Sequence, residues 1–572
     1  IKANVNKKDR GIGATIKHGS VARMMRFAFW SNDGSLRALA TKFKVDGKVN
    51  ESIIKFAQSW FADPQGKYDM GVAQTFSEEV DERTATRLND LNDVVKFLEG
   101  RPAKSRNAIL SRAAGIMRKG VPSNPKTVAE RVAAGLKKIL AQELQHLRDA
   151  GIEVGEVDSY LTSKLDSYEV FSRPQEFLKA AQRAYVKNGM TGVEAKKAAQ
   201  DWYNRLLQRD MGFRYDNDAF DFHTAPTGIG RPNTEKSRVF NKAAELEMQS
   251  FYQQDASQLV ADYIIQATRR AAFAKRMGPK LEKWKEFKAE LDEQGNGDAI
   301  QDIAPIVQSM AGMIPPPQSR TTRNAISAMR VWGHVMFLSR ATITSLTEPV
   351  ITAMRTGNPL DAGRSVAWTV QDAIRRAAGK NNRHSEMAED LGLIGDVIHG
   401  LLQAQRFGGQ IDTKWGQIVS ANFFKYTLLH DFTDATRVSA MRLGQVYMRR
   451  LAKGVLKGTN HKVWGTKESS QSYMQELGIP ADKMEAFSKW LMDKNDGVPD
   501  ADAVGDVDTQ DEMVRYYRTA MTRFVDQSIM RPNASERPRM ATHPIGSIVY
   551  AITSFIYSFH KNVNTRTGRL VK

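Results

Sequence analysis

Apolar residues in this chain recur at helical spacing over long stretches, while strict apolar–polar alternation, the mark of a half-buried strand, is rare and short. In 76–98, Val80, Leu88, Leu91, Val94, Val95 and Leu98 share one helical face, and Gly100 with Pro102 supplies a stop. In 125–149, Val132, Leu136, Ile139, Leu140, Leu144 and Leu147 form a second stripe that ends near Gly151. Asn124 stands at the N-cap position there and Pro125 at the first helical position. A third helix is expected over 415–450. Ile418, Val419, Phe423, Phe424, Tyr426, Leu428 and Leu429 surround most of its first part, as suits a centrally buried helix. The pattern predicts an all-α fold: an elongated, multi-unit assembly of long helices with no substantial sheet.

A chain of 572 residues is too long for one ordinary core, so several helical units are expected. Clusters of turn residues fall at 189–192, 210–234, 295–297, 315–317 and 495–512. They predict a basic N-terminal helical region over 1–120, a second helical region over 121–314, a central buried-helix region over 318–460 and a C-terminal region over 461–572. No fixed-period repeat is present, which argues against a solenoid. Ile1 stands where an initiator Met would, and Lys572 follows an apolar helical run with no stop signal, so the chain reads as a segment of something longer.

Charge narrows the choice of partners. Lys and Arg number 83 against 64 Asp and Glu, a formal net charge of +19, which favours polyanions, either nucleic acid or anionic lipid. Two basic clusters stand out: Arg101, Lys104, Arg106, Arg112, Arg118 and Lys119, then Arg437, Arg442, Arg449, Arg450 and Lys453. For each, a plain solvated face stands beside a polyanion-binding one. Aromatic residues hardly interleave with them, so a nucleic-acid partner would be duplex DNA held through its phosphates without sequence preference, not through base stacking. The segment 540–559 has no formally charged side chain and lies between Arg537 and Arg539 on one side and Lys561 on the other. Its length approaches the roughly 20 residues that a spanning helix needs. Pro544, Gly546 and five hydroxyl side chains dilute it, which favours a helix buried against protein over a membrane span. Ile545, Ile548, Ile552, Phe555, Ile556 and Phe559 are its candidate membrane or partner contacts.

No catalytic constellation emerges. Cysteine is absent, which excludes disulfides, thiolate nucleophiles and cysteine-bound zinc. The N-terminal 1–19 carries no apolar run of signal-peptide length. Gly11 and Gly13 open a phosphate-loop pattern that Ile16 breaks, and 458–467 has the wrong spacing for one. None of the ten histidines pairs with another at the i, i+4 spacing of helical zinc ligands. Glu468-Ser469 opens like a lysozyme-type transglycosylase motif, but the Gly-Leu-Met-Gln continuation is missing. Asp500, Asp502, Gly505, Val507 and Asp508 fit five positions of a calcium-binding loop. Val504 removes one ligand and Asp511 shortens another, so a solvated acidic linker is preferred. Thr565, Gly568 and Arg569 fit the short T-x-x-G-R element of single-subunit RNA polymerases without the metal-binding aspartates which that chemistry requires. No catalytic residue, metal or cofactor is assigned, and the chain is expected not to be an enzyme.

Several blocks nevertheless resemble the helical regions of very large phage virion proteins, namely the internal or ejection proteins of short-tailed bacteriophages and related large polyvalent proteins. They are YLTSKLDSYEVFSRPQEFLKAAQRAY at 160–185, SRVFNKAAELEM and ADYIIQATRRAAFAKRMG within 237–278, MFLSRATITSLTEPVITAMRTG at 336–357, FFKYTLLHDFTDATR at 423–437 and FVDQSIMRPNASERPRMATHPIGSIVYAITSFIYSFHK at 524–561. The resemblance implies a structural protein packaged in the virion and released with the genome into the host envelope. It further implies DNA and other virion proteins as partners, an oligomer in the particle, and the envelope membrane as a further candidate contact. It supplies no catalytic residues for these blocks. A non-catalytic helical portion of a giant virion RNA polymerase is the alternative, and a peripheral membrane protein, resting on 540–559, is a third.

Overall fold

The structure, a computed structural model, describes residues 32–60, 74–98, 100–154, 165–210, 240–310, 356, 358–377, 382–394, 429–463, 466–494, 497–499 and 501–528. The fold is all-α. Among the described residues the chain forms α1 (Asn32–Lys42), α2 (Glu51–Trp60), α3 (Phe76–Val95), α4 (Ala103–Lys119), α5 (Val128–Asp149), α6 (Ser167–Ser172) and α7 (Pro174–Lys187). Then come α8 (Gly192–Asp210), α9 (Lys242–Glu247), α10 (Ala256–Met277), α11 (Glu282–Glu293), α12 (Ala299–Met310), α13 (Pro359–Ala377), α14 (Arg383–Asp390) and α15 (Leu429–Lys457). A small hairpin, β1 (Asn460–Val463) with β2 (Thr466–Ser469), precedes α16 (Ser470–Glu476), α17 (Met484–Met492), α18 (Ala501–Gly505) and α19 (Glu512–Ser528).

The helices expected over 76–98 and 125–149 are present. The first is α3, continued by a single 3-10 turn over Lys96–Leu98. The second begins later than its Asn-Pro signal suggests. Thr127, not Asn124, caps α5: its hydroxyl accepts from the Glu130 backbone N–H at 3.2 Å, and the Glu130 carboxylate returns to the N–H groups of Thr127 and Lys126 at 2.7 and 2.8 Å. This reciprocal box satisfies donors that a helix start otherwise leaves open, so it outcompetes a lone Asn three residues upstream. Of the helix expected over 415–450, 415–428 lies outside the described residues; from Leu429 onward the chain is helical through Lys457.

Two compact units emerge, the first drawn from Asp90–Glu282 and the second from Ala22–Asn89, Lys283–Gly312 and Asn324–Lys572. In the first, α5 packs on both α4 and α10. Its inward face is Val132, Leu136, Ile139, Leu140 and Leu147, the stripe read from the sequence apart from Leu144, which is half-buried. Beside it, α7, α8 and α9 enclose an aromatic core in which Phe177 meets Phe251 edge-on at 5.3 Å and Tyr185 meets Phe240 at 4.9 Å. Gly189, at φ +101°, turns the chain between α7 and α8 within the break expected at 189–192.

In the second unit α15 is the central helix. It is buried almost all round from Asp434 to Leu451, and α13, α14, α16, α17 and α19 pack against it. Met441, Tyr447, Met448, Met474, Phe487, Tyr517 and Phe524 belong to one apolar core there. Gly392 allows the turn after α14 to press on α3. At φ +68° it adopts a backbone that L side chains resist, and an added Cβ would lie 2.7 Å from the Ala85 Cβ and 3.1 Å from the Thr86 nitrogen.

Candidate nucleic-acid interface

The first basic cluster is built on α4. From Arg101 to Lys119 the sequence holds six basic side chains and no acidic one. Leu110, Ala113, Ala114 and Met117 face inward and turn the rest of the helix outward. Arg101, Lys104, Arg106, Arg112 and Lys119 are exposed. Lys104, Arg112 and Lys119 recur on one stripe that runs about 22 Å along the helix at ~1.5 Å per residue, and Arg106 projects from another side. Arg101, Lys104, Arg106 and Arg112 pair with no carboxylate among the described residues. Of the stripe, Lys104 and Arg112 are therefore unopposed among the described residues, with Arg101 and Arg106 near by, and such exposed cations are what a phosphate backbone can engage.

Arg118 does not belong to that face. It is 7 % exposed, its Nη2 donates to the Gln253 carbonyl at 2.9 Å, and its guanidinium lies 5.5 Å from the centre of the Tyr252 ring. Burial pushes its pKa down, against the pull of Tyr252 and Glu245. Its place is that of an internal tie between α4 and the start of α10.

The second cluster also points into the fold. Arg450 grips Asp361 with two hydrogen bonds of 2.5 and 2.9 Å, and the Thr356 hydroxyl donates to the same carboxylate at 2.8 Å. Arg442 reaches Asp372 at 3.3 Å and lies over the Trp368 ring at 4.3 Å. Arg437 is buried and donates to the Leu393 carbonyl at 2.8 Å. Arg449 is half-buried, and Lys453 alone of the group is exposed. The expected second phosphate-binding face is therefore corrected to a polar seam between α13 and α15. Its other members are Arg376 with Asp434 at 2.7 Å, and Ser439, whose hydroxyl donates to the Ser365 carbonyl at 2.8 Å. Burial raises the Asp361 carboxyl, but its bonds from Arg450 and Thr356 outweigh burial and hold it below its usual range.

No protein-family model matches the chain, and no curated protein matches it.

The acidic stretch has an internal use as well. Ala501–Gly505 is a short helix, and Asp508 beyond it accepts from both Arg83 and Arg87 on α3. A carboxylate so engaged fits a structural tie better than a calcium ligand; Asp500 lies outside the described residues. So do Ile545, Ile548, Ile552, Phe555, Ile556 and Phe559. Among the described residues no helix is long and apolar enough to cross a membrane.

Two further arginines escaped the sequence reading. Arg518, on α19 and almost wholly buried, donates through Nε to Glu82 at 2.5 Å, through Nη2 to Thr86 at 3.2 Å and through Nη1 to the Val504 carbonyl. Arg523 grips Glu78 through Nε and Nη2 at 2.8 and 2.6 Å. Their carboxylate partners, Glu82 and Glu78, lie more than 400 residues away, and no spacing rule connects positions so distant.

Proposed function

We propose that this chain is a structural, non-enzymatic internal virion protein of a bacteriophage. It is an ejection component that accompanies the genome into the host envelope and binds duplex DNA through its phosphates. The observation that carries the DNA part is the acid-free run 101–119, where Arg101, Lys104, Arg106 and Arg112 are exposed and pair with no carboxylate among the described residues, in a chain of net charge +19. A cation already paired within the fold gains little from a phosphate, whereas an unpaired one releases a counterion from the duplex on contact. The phage part is supported by the resemblance of the sequence blocks at 160–185 and 237–278, the all-helical construction and the absence of cysteine, which spares a chain that changes compartments any thiol chemistry. Its partners in this reading are the packaged genome and other virion proteins, with which it assembles as an oligomer.

The test is fluorescence anisotropy of the purified chain on two duplexes of unrelated sequence, titrated between about 50 and 200 mM salt. Equal affinities that fall linearly on a log–log plot are expected. Arg101→Glu, Lys104→Glu and Arg112→Glu together should weaken binding to both duplexes and reduce the slope by about three. Arg118 is left intact because reversing a buried charge would disrupt the first unit. Salt-independent binding, or none at low salt, would defeat the electrostatic account.

A further inference from the structure

Helix α13 is packed with its polar side inward. Asp361, Ser365, Thr369 and Asp372 are buried against α15, while Leu360, Gly363, Val366, Ala367, Val370 and Ile374 face outward, Leu360 and Ile374 being 71 and 65 % exposed. At about 100° per residue the outward apolar positions span a 120° arc, as wide as the stripe by which an ordinary surface helix docks on its own core. Here the core side is occupied by carboxylates, hydroxyls and the arginines of α15, so the apolar arc has no counterpart beneath it. The charges follow the same division. Both acidic residues of α13 are buried in the seam, and the charged residues that it exposes, Arg364 and Arg375, are basic and border the apolar arc on one edge together with Gln371; Arg364 also makes a long contact of 3.5 Å with Asp361, whose carboxylate Arg450 already grips with both arms. Arg383, at the start of α14, is exposed as well.

We propose that the outward face of α13 is a docking surface for an anionic lipid bilayer, with Leu360, Val366, Val370 and Ile374 entering the headgroup–acyl boundary and Arg364 and Arg375 meeting lipid phosphates. Amphipathic helices that lie in a membrane interface combine such an apolar arc with basic flanks and low overall hydrophobicity. The charge pattern selects this occupant over a second copy of the chain. Two α13 helices packed antiparallel would place arginines beside arginines at the rim of an apolar contact, and packed parallel would leave each basic edge without an anionic partner, whereas an anionic surface answers both the arc and its edge. The buried seam supports the function mechanically. The bidentate Arg450–Asp361 pair and the Arg442–Asp372 pair hold the polar side shut, so that only the apolar arc is offered. The surface is independent of the basic face of α4 and of the nucleic-acid reading.

The test is flotation of the full chain with vesicles of phosphatidylglycerol and phosphatidylcholine, and with phosphatidylcholine alone. The wild-type chain should float with the anionic vesicles and at least ten-fold less with the neutral ones. Val370→Glu with Ile374→Glu should abolish flotation, and Arg364→Gln with Arg375→Gln should weaken it by about five-fold per arginine removed. All four positions are exposed, and the Arg364–Asp361 contact is long at 3.5 Å beside the bidentate Arg450–Asp361 pair, so each variant should keep the wild-type circular dichroism and a thermal midpoint close to that of the wild type. Because the chain has no cysteine, Val370→Cys offers a single attachment point for an environment-sensitive fluorophore. Its emission should shift to the blue on anionic vesicles, while the same dye on Lys196→Cys, on exposed α8, should not respond. Three results would overturn the proposal: no flotation of the wild type, flotation unchanged by the two glutamates, or a concentration-dependent dimer in sedimentation that those glutamates dissolve.

Discussion

A buried guanidinium must find its oxygen partners inside the fold, and Arg518 and Arg523 find theirs on α3. Glu78 does double work: its carboxylate accepts from the Thr75 backbone N–H at 2.9 Å, closing the start of α3, and it receives both arms of Arg523. Burial raises the Glu78 carboxyl, but the charge of Arg523 and the bonds from Arg523 and Thr75 prevail and hold it below its usual pKa. Arg523→Ala leaves Glu78 buried without its counter-ion and should cost about 3–5 kcal/mol at neutral pH in urea unfolding. A carboxylate depressed in the folded state contributes stability that is complete above its unfolded pKa, near 4.3, and lost as the pH falls through its folded value. The gap between wild type and Arg523→Ala should therefore be full at pH 7 and close on acidification below about pH 4. A gap that stays constant down to acid pH would show that Arg523 acts by packing alone. Among the basic residues read from the sequence, Arg118, Arg437, Arg442 and Arg450 are indistinguishable in type from Arg101 or Arg112. What separates them is a partner 44 to 135 residues distant, which no local pattern announces.

At the scale of the element, periodicity in the sequence located α3, α5 and the described part of α15, because an apolar stripe reports directly on a face that must leave water. It was less informative about ends and orientation. Thr127 and Asn124 both have the chemistry of a cap, and what decides between them is the Glu130 carboxylate closing the box. Thr127→Ala should lower stability by about 1 kcal/mol, while Asn124→Ala, at an exposed position, should be nearly neutral. Equal losses in the two variants, measured by thermal unfolding, would return the cap to Asn124. For α13, which the sequence reading did not single out, an apolar period alone would not say that the arc faces outward. Orientation is set by which side has partners, and those partners are Arg442 and Arg450 on α15, whose pairing with α13 no local pattern in the sequence predicts.

At the scale of the whole molecule, excess positive charge and helical construction come together in a chain whose buried arginines serve the fold and whose exposed ones on α4 pair with no carboxylate among the described residues. Charge in the interior fixes which helices meet: α13 with α15 through Asp361 and Asp372, and α19 with α3 through Glu78 and Glu82. Charge outside is available to polyanions, and the proposed role in the virion depends on that second population. The most direct test is peptide mass spectrometry of purified phage particles, compared before external protease, after it, and after triggered release of the genome. Peptides covering both units, such as those from α5 and α15, are expected in full particles, should survive protease treatment of intact capsids, and should be depleted from emptied ones. A chain that is absent from the particles, or that stays behind when the DNA has left, would contradict an internal protein that travels with the genome.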